Sequence, residues 1–516
     1  MDMEVFRRQF DMEKPMPTQE FVTCAEKLCQ EVQQNKNEEQ KAELCREIYG
    51  NINKDDVEMA VFLYSMLVNL DYNPKYMEEF ARYVIEEKRL NYKNKYFLFY
   101  QITQFVFLHP EFETEGVLTA KWELLKQAGA EIKQEIKMPL HRIPRQECNP
   151  NMVVVITEQF LGTQHGPTKT ALDRCAIMKK VMGKEVLLIN TAEFMPMNGR
   201  LPILGGKRGN YDETLCQKEY QTWQGVEIPY FQVENVMPEA EVEELLLHVI
   251  EQIKPMYVIN IGGSSLFAGL ADELVPVITV GTTQSGLATT LTTYQTVHGK
   301  LEEKWLHVLK NVGKTERHMI EGIFTFSLRE QTETTTREKE GLPENQFLLA
   351  VVGGRLDEEV TEEFFHMLES VVSKEIGIVF IGKFQHFEEM TAKYPEIKPY
   401  AYYLGFCQDI LSKLEICDLY VNPTRKGGGT SVVEAMSKGK PAVSVDFGDV
   451  AGIIGEEFCC KNYEEMAEII KRYAQDRAFY EEKAQAAGKV AEVYLDTASE
   501  FKRIMEEYDR REKEEA

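Results

Sequence analysis

Two hydrophobic patterns divide the chain. Up to about residue 145, apolar positions recur at helical spacing. Residues 57–70 (VEMAVFLYSMLVNL) are long and apolar, and Asn73-Pro74 closes them with a turn before a second helical run over 77–85. Residues 96–108 (YFLFYQITQFVFL) are aromatic enough for a strand, but their length and the helices before them predict a buried helix. The expected form is a helical bundle or a stack of helical hairpins. No fixed period marks a named repeat.

The pattern changes across residues 138–150 (MPLHRIPRQECNP), where three prolines and no periodicity indicate a linker. Beyond it, short β-branched runs alternate with helical segments. Strands are expected at 152–157, 186–190, 256–261 and 275–280, with helices over 168–182 and 239–253. A second series begins near residue 347. Its expected strands are 347–352, 377–381, 419–422 and 441–445, its helices 358–373, 431–437, 464–476 and 479–505. Continuous apolar strands between helices imply parallel sheets covered on both faces. The expected organisation is α/β: a helical domain over 1–145, a Rossmann-like domain over 150–340, a second over 345–485, and a C-terminal helix over 486–516 returning to the first Rossmann-like domain.

Composition narrows the function classes. Of 516 residues, 59 are Lys or Arg and 84 are Asp or Glu, a formal net charge of −25. So acidic a chain repels nucleic-acid backbones and anionic membranes, although a pocket for one nucleotide needs only a few donors. The ten cysteines include no CxxC pair and no zinc spacing, so reduced core thiols are expected. The first residues, MDMEVFRRQFDMEK, lack the apolar stretch of a signal peptide, and no apolar run is long enough to span a bilayer. A cytoplasmic location is expected.

The segment with most chemistry is NPTRKGGGTSVVEAMSKGKPAVSV, residues 422–445. A strand ends at Asn422, and Gly427, Gly428 and Gly429 let a ligand approach the backbone. Thr430 or Ser431 can cap the following helix. The helix start directs N–H groups and partial positive charge outward, an arrangement suited to phosphate. Glu434 lies one turn further on, where its carboxylate can accept hydrogen bonds from sugar hydroxyls.

This segment resembles the donor-binding signature of retaining GT-B glycosyltransferases, most closely glycosyltransferase family 4. That family carries two glutamates eight positions apart; Glu434-Ala435-Met436 matches the second, which contacts the nucleotide ribose. Lys426 stands where the first glutamate is usual, and Arg425, Lys426 or both are expected to face the diphosphate instead. Residues 351–356 (VVGGRL) resemble the family's strand-to-loop segment, which gives Gly353 and Gly354 a place at the donor and Arg355 the role of stabilising the leaving diphosphate. The lysine that often follows is missing, and Lys383 is its expected replacement by position. Residues 403–406 (YLGF) resemble another family stretch. The resemblance is strong over 347–460, weaker over 150–345, and absent from 1–145.

In the first α/β unit, residues 162–168 (GTQHGPT) follow a strand and open a helix. The resemblance places this loop at the donor phosphate and acceptor, with His165 as its catalytic candidate; the alternative is a turn histidine bonded to its own loop. Residues 262–265 (GGSS) are either a second cleft-facing loop or a strand-to-helix turn with serine caps, and 282–286 (TTQSG) pose the same choice. The charged tail over 503–516 reads as a solvated, frayed helix end.

The resemblance implies a transferase that moves a sugar from a UDP- or GDP-sugar to a hydroxyl of a glycan, lipid-linked glycan or protein, with retention and without a metal. The helical domain would recognise the acceptor or a protein partner. Two alternatives stand beside it: a non-catalytic homologue acting as scaffold or chaperone, favoured by Lys426, and a nucleotide-sugar epimerase, for which no set of acids and histidines is evident.

Overall fold

Helices form where the apolar spacing predicts them. The computed structural model describes residues 27, 29–32, 38–162, 165–193, 211–234, 237–282, 286–298, 301–328 and 330–515. The N-terminal helices are Glu38–Gly50, Val57–Asp71, Pro74–Glu86, Tyr92–Leu108 and Glu115–Glu135. The aromatic run is a helix because Asn91 and Asn94 close a reciprocal capping box at its start. Its Tyr96, Phe99 and Phe105 are buried.

Contacts divide the described residues into two units: residues 1–281, 287–296 and 301–320, and residues 282–286, 297–300 and 321–516. Eight strands form the first sheet: β1 (Asn149–Thr157), β2 (Glu185–Asn190), β3 (Tyr220–Trp223), β4 (Val226–Gln232), β5 (Pro255–Ile261), β6 (Val277–Val280), β7 (Tyr294–His298) and β8 (Met319–Gly322). Their order is β3-β4-β2-β1-β5-β6-β7-β8. β1 pairs in parallel with both β2 and β5, whereas β3 and β4 form an antiparallel hairpin at the edge. The sequence pattern missed that hairpin because β4 buries only alternate residues, Ile228, Tyr230 and Gln232.

The change of pattern near residue 145 is a change of secondary structure rather than a gap between cores. Phe80, Tyr96, Phe99 and Leu125 of the helices share one apolar cluster with Val154, Ile156, Val258 and Val277 of the sheet. The N-terminal helices join this cluster through Glu115–Glu135, which packs against the helices Ala240–Ile253, Leu266–Ala271 and Glu303–Asn311.

The second sheet holds β9 (Phe347–Gly353), β10 (Ile376–Gly382), β11 (Ala401–Gly405), β12 (Leu419–Asn422), β13 (Ala442–Val445) and β14 (Cys459–Cys460), in the order β11-β10-β9-β12-β13-β14. Every pairing is parallel. Leu349, Val351, Ile378 and Phe380 enter one core, and Leu348, Ala350, Val379 and Ile381 the other. Both faces are covered, as continuous apolar strands require.

Two expected helices are broken. The 358–373 run is Leu356–Glu359 and Glu362–Glu369, with Thr361 capping the second. The 479–505 run is Arg477–Leu495 and Thr497–Glu515, because Asp496 accepts from Ser499 N at 3.2 Å and starts a new helix. By its contacts the last helix groups with residues 321–516. Glu500 accepts from Ile323 N at 2.6 Å, and Arg503 donates to Glu321 O at 2.5 Å. Its tail is not simply solvated: Phe501, Ile504, Met505 and Tyr508 form a buried stripe at helical spacing.

Candidate functional site

In the second sheet, β10 and β12 flank β9 on opposite sides, so the strand order reverses beside β9. Ligands of open α/β sheets bind at the carboxyl ends of strands at such a point. Two glycine turns meet there. One leaves β9 through Gly353 and Gly354 to Arg355; the other follows β12 and leads through Gly427 and Gly428 into the helix Gly429–Ser437. A Cβ on Gly427 would lie 3.8 Å from Arg355 Nη2, so the guanidinium reaches the second turn.

Close approach fixes these turns. Gly382, at φ +128°, lies so near Gly353 that a Cβ would overlap the Gly353 carbonyl oxygen. Lys383 then clamps the first turn by its backbone: its N–H donates to Gly353 O at 3.1 Å, and its carbonyl accepts from Leu356 N at 3.1 Å. Gly428, at φ +107°, caps the helix with no side chain of its own. A Cβ there would meet Arg425 Nη2 at 2.8 Å.

Beneath the turns runs a chain of polar contacts. Arg425 donates through Nε to Asn422 Oδ1 at 2.8 Å, through Nη1 to Glu359 Oε2 at 2.6 Å, and through Nη2 to Val352 O at 2.7 Å and Tyr420 Oη at 2.9 Å. Tyr420 Oη and Ser431 Oγ are 2.8 Å apart, and Ser431 Oγ donates to Gly428 O at 3.0 Å. Glu359 Oε1 accepts from Arg355 Nε at 3.2 Å and Nη2 at 2.9 Å. One carboxylate therefore bridges two guanidinium groups, a strong, charge-assisted arrangement.

The expected residues divide accordingly. Arg355 has 38% of its side chain exposed and Arg425 only 5%. Arg425, expected to face a diphosphate, is instead buried and tied to four protein partners. Ser431 is likewise turned inward by Tyr420 and the Gly428 carbonyl. Gly353, Gly354, Arg355, Lys383, Gly427, Gly428 and Gly429 are brought together. Lys426 and Thr430 are half-buried in the turn and the helix start, and Lys426 O accepts from Asp449 N at 2.7 Å. Glu434 is half-buried further along the helix. Burial pushes the nearby Cys407 thiol up to about 11, with Asp409 and Glu434 adding negative charge.

The first sheet has a different edge. After β1 comes Glu158, after β2 Glu193, and after β5 the turn Gly262-Gly263-Ser264-Ser265. Glu158 Oε1 accepts from Gly263 N at 3.2 Å. Glu193 Oε1 accepts from Leu266 N at 2.6 Å and Phe267 N at 3.2 Å, and Oε2 from Thr191 Oγ1 at 2.6 Å. Both carboxyls are buried. Burial, reinforced by Glu193, pushes Glu158 up to about 8 against the opposing amides of residues 263–265. Burial also raises Glu193. The 262–265 turn is thus a strand-to-helix turn whose amides are met by the chain's own acids.

His165 precedes the helix Gly166–Lys180. Thr168 Oγ1 accepts from Leu161 N at 3.0 Å and lies 2.9 Å from His165 Nδ1. Thr168 Oγ1 thus bridges the Leu161 amide and the His165 ring. Burial, aided by Lys169, depresses the imidazole to about 4. Thr163 and Gln164 of this loop, and Thr283, Gln284 and Ser285 of the 282–286 turn, lie outside the described residues, as does Cys24.

Sequence reasoning missed Glu359, Tyr420, Glu158 and Glu193. Glu359 carried a signal, the i,i+4 spacing from Arg355. Glu158 and Glu193 carried none, because their partners are backbone amides more than seventy residues away. Among the described residues, no helix is long and apolar enough to cross a membrane, and no group of three or more His, Cys, Asp or Glu is placed to hold a metal ion.

No curated protein sequence matches the chain. Among solved structures, a mutant O-GlcNAc transferase of Thermobaculum terrenum is similar at 12% identity and TM-score 0.52, over 95% of this chain and 94% of that one. The HepE protein of Anabaena, solved with UDP, is similar at 13% identity and TM-score 0.49, over 70% of this chain and 100% of that one. A glycosyltransferase of Rickettsia africae aligns at 12% identity and TM-score 0.48, over 71% of this chain and 98% of that one. The fold is of the GT-B class: two Rossmann-like units with parallel sheets, preceded by an all-helical region. Residues 332–492, which carry Arg355 and the glycine turn, match the family model of glycosyl transferases group 1.

Proposed function

We propose that the protein is a retaining glycosyltransferase that moves a sugar from a UDP- or GDP-sugar to a hydroxyl of a glycan, lipid-linked glycan or protein acceptor. The observation that carries this reading is the meeting of Arg355 with the glycine turn at the head of the Gly429–Ser437 helix. In the reaction, the bond from the anomeric carbon to the diphosphate breaks, a bond to the acceptor oxygen forms, and the acceptor's hydroxyl proton passes to the departing diphosphate. Negative charge gathers on the leaving diphosphate. Arg355 and the N–H groups at the helix start offset it, and such preorganised donors favour the transition state over the ground state. Lys383, on the clamped β10 turn, and Lys426, beside the glycines, are the further cations of this site. Glu434 receives the ribose hydroxyls. His165, neutral near pH 7, serves the acceptor side as a hydrogen-bonding group rather than a cation. The helical layer recognises the acceptor or a protein partner, and the site of action is cytoplasmic.

Thermal unfolding with UDP, GDP, ADP and their sugars tests this reading. A ligand at about 100 times its dissociation constant adds about 2.7 kcal/mol to the native state. A rise in Tm with one diphosphate family, reduced in Glu434→Ala, is the expected result; no response to any of them overturns the reading. Lys426, in place of the family's usual acid, favours a second reading, a scaffold that binds a nucleotide without turning over its sugar. Nucleotide binding without release of diphosphate from any donor selects that alternative.

A further inference from the structure

Glu359 has two oxygens and uses each for a different arginine. Oε1 takes the Nε and Nη2 edge of Arg355, and Oε2 takes Nη1 of Arg425. The two arginines differ in every other respect. Arg425 is fixed by the strand end at Asn422 and Val352 and by the strand residue Tyr420. Arg355 stands at the turn, with Nη2 beside Gly427. Glu359 thus transfers the rigidity of a buried guanidinium to an exposed one. It reaches Arg355 because the helix Leu356–Glu359, capped by Arg355, brings residue 359 one turn on and onto the same face as residue 355.

We propose that Glu359 is a positioning residue, which holds the guanidinium of Arg355 by its Nε/Nη2 edge so that it faces the glycine turn where the diphosphate leaves. The inference rests on the transferase reading, which assigns Arg355 its charge-stabilising role. Glu359 touches no substrate in this account and acts only through Arg355. A neutral amide at 359 puts an NH2 group, which only donates, in place of one of the two oxygens, so one of the two arginines loses its acceptor. The better-anchored Arg425 keeps the accepting oxygen, and Arg355 loses the carboxylate that held its Nε/Nη2 edge.

Two measurements on the full-length protein test this. The first needs no ligand: modification of arginines by phenylglyoxal, followed residue by residue by peptide mass spectrometry. Arg355 should be modified about threefold faster or more in Glu359→Gln than in the wild type, since its held edge is freed. The second is a kinetic cycle with Glu359→Gln, Arg355→Ala and the double variant. Glu359→Gln should lower kcat about tenfold with donor KM changed less than about twofold, and should add less than about twofold once Arg355 is absent. A merely structural glutamate would impair the Arg355→Ala protein as much as the wild type. Unchanged labelling of Arg355 overturns the proposal, and so do kinetic losses that multiply independently. If the wild type turns over no nucleotide sugar, it is the transferase reading that fails, and the labelling alone decides whether Glu359 holds Arg355. Should Glu359→Gln fail to fold, Glu359→Asp, which keeps the charge but shortens its reach, replaces it in both measurements.

Discussion

The two units carry turns of nearly the same composition over different buried groups. In the first, β5 runs into Gly262-Gly263-Ser264-Ser265 and a short helix. In the second, β12 runs, after a few residues, into Gly427-Gly428-Gly429-Thr430 and a longer one. Beneath the first turn lie two carboxyls, Glu158 and Glu193, which take its amide protons. Beneath the second lies a guanidinium, Arg425, with Arg355 at its rim. A glycine turn ahead of a helix is an anion site only when its donors are left for a ligand. The first turn is answered internally by buried carboxyls, and the second is lined by two guanidinium groups that share the Glu359 carboxylate. The group beneath the turn, rather than the glycines themselves, separates a structural turn from a candidate binding site.

The largest test removes the cation under the second turn. Arg425→Met keeps much of the apolar stem but leaves Glu359, Val352 O, Asn422 and Tyr420 without that donor. Breaking a buried ion pair from one side costs about 3–5 kcal/mol. At about 2–4 °C per kcal/mol for a unit of this size, Tm should fall by about 10 °C. Calorimetry checks this, and a fall of under about 2 °C would show that Arg425 is not the strut of the second turn.

A smaller effect is expected beneath the first turn, and it depends on pH. Glu158 is held up to about 8, chiefly by burial. Between its ordinary value near 4.5 and about 8, the native state holds a proton that the unfolded chain has lost. Stability therefore falls as pH rises through that window. Glu158→Gln keeps an acceptor for Gly263 N and removes the titration. The variant should gain about 4 °C in Tm over the wild type on going from pH 5 to pH 8, discounting for coupling to Glu193. Parallel Tm–pH curves for the two proteins would mean that Glu158 is ionised in the native state and that the first turn is not filled by a neutral acid.

These contrasts also show what the sequence makes legible. The central strands β1, β2, β5 and β6 of the first sheet and β9, β10, β12 and β13 of the second follow from continuous apolar runs, whereas the place of Arg355 at the glycine turn is legible only through the family resemblance. The β3–β4 hairpin, β7, β8, β11 and β14 escape because short or alternating segments resemble loops. The sharing of one core by helices and sheet escapes because spacing records which residues are apolar, not what covers them. The inward turn of Arg425 escapes for a related reason. In the sequence it is one of two adjacent cations before three glycines, and only its contacts with Glu359 and Tyr420 distinguish it from Lys426.

The smallest expected effect concerns His165, the one member of the first unit's edge proposed to serve catalysis. Its imidazole is depressed to about 4 by burial and by Lys169, and its Nδ1 lies 2.9 Å from the Thr168 hydroxyl. The ring is therefore neutral wherever the enzyme would work, and the first unit's edge offers hydrogen bonds where the second offers positive charge. Between about 4 and 6.5 the unfolded chain binds a proton that the native ring refuses. Stability rises with pH across this window and is lost as pH falls through it. His165→Asn retains a polar side chain at the helix start and abolishes that dependence. Its Tm at pH 5 should exceed the wild-type value by about 2 °C, with no difference at pH 7.5, the effect being reduced by partial solvent screening. Following the imidazole Hε1 signal by NMR gives the direct check. A midpoint near 6.5 in the folded protein would mean that the ring is solvated and able to carry charge, and the two edges would then differ less than their buried groups imply.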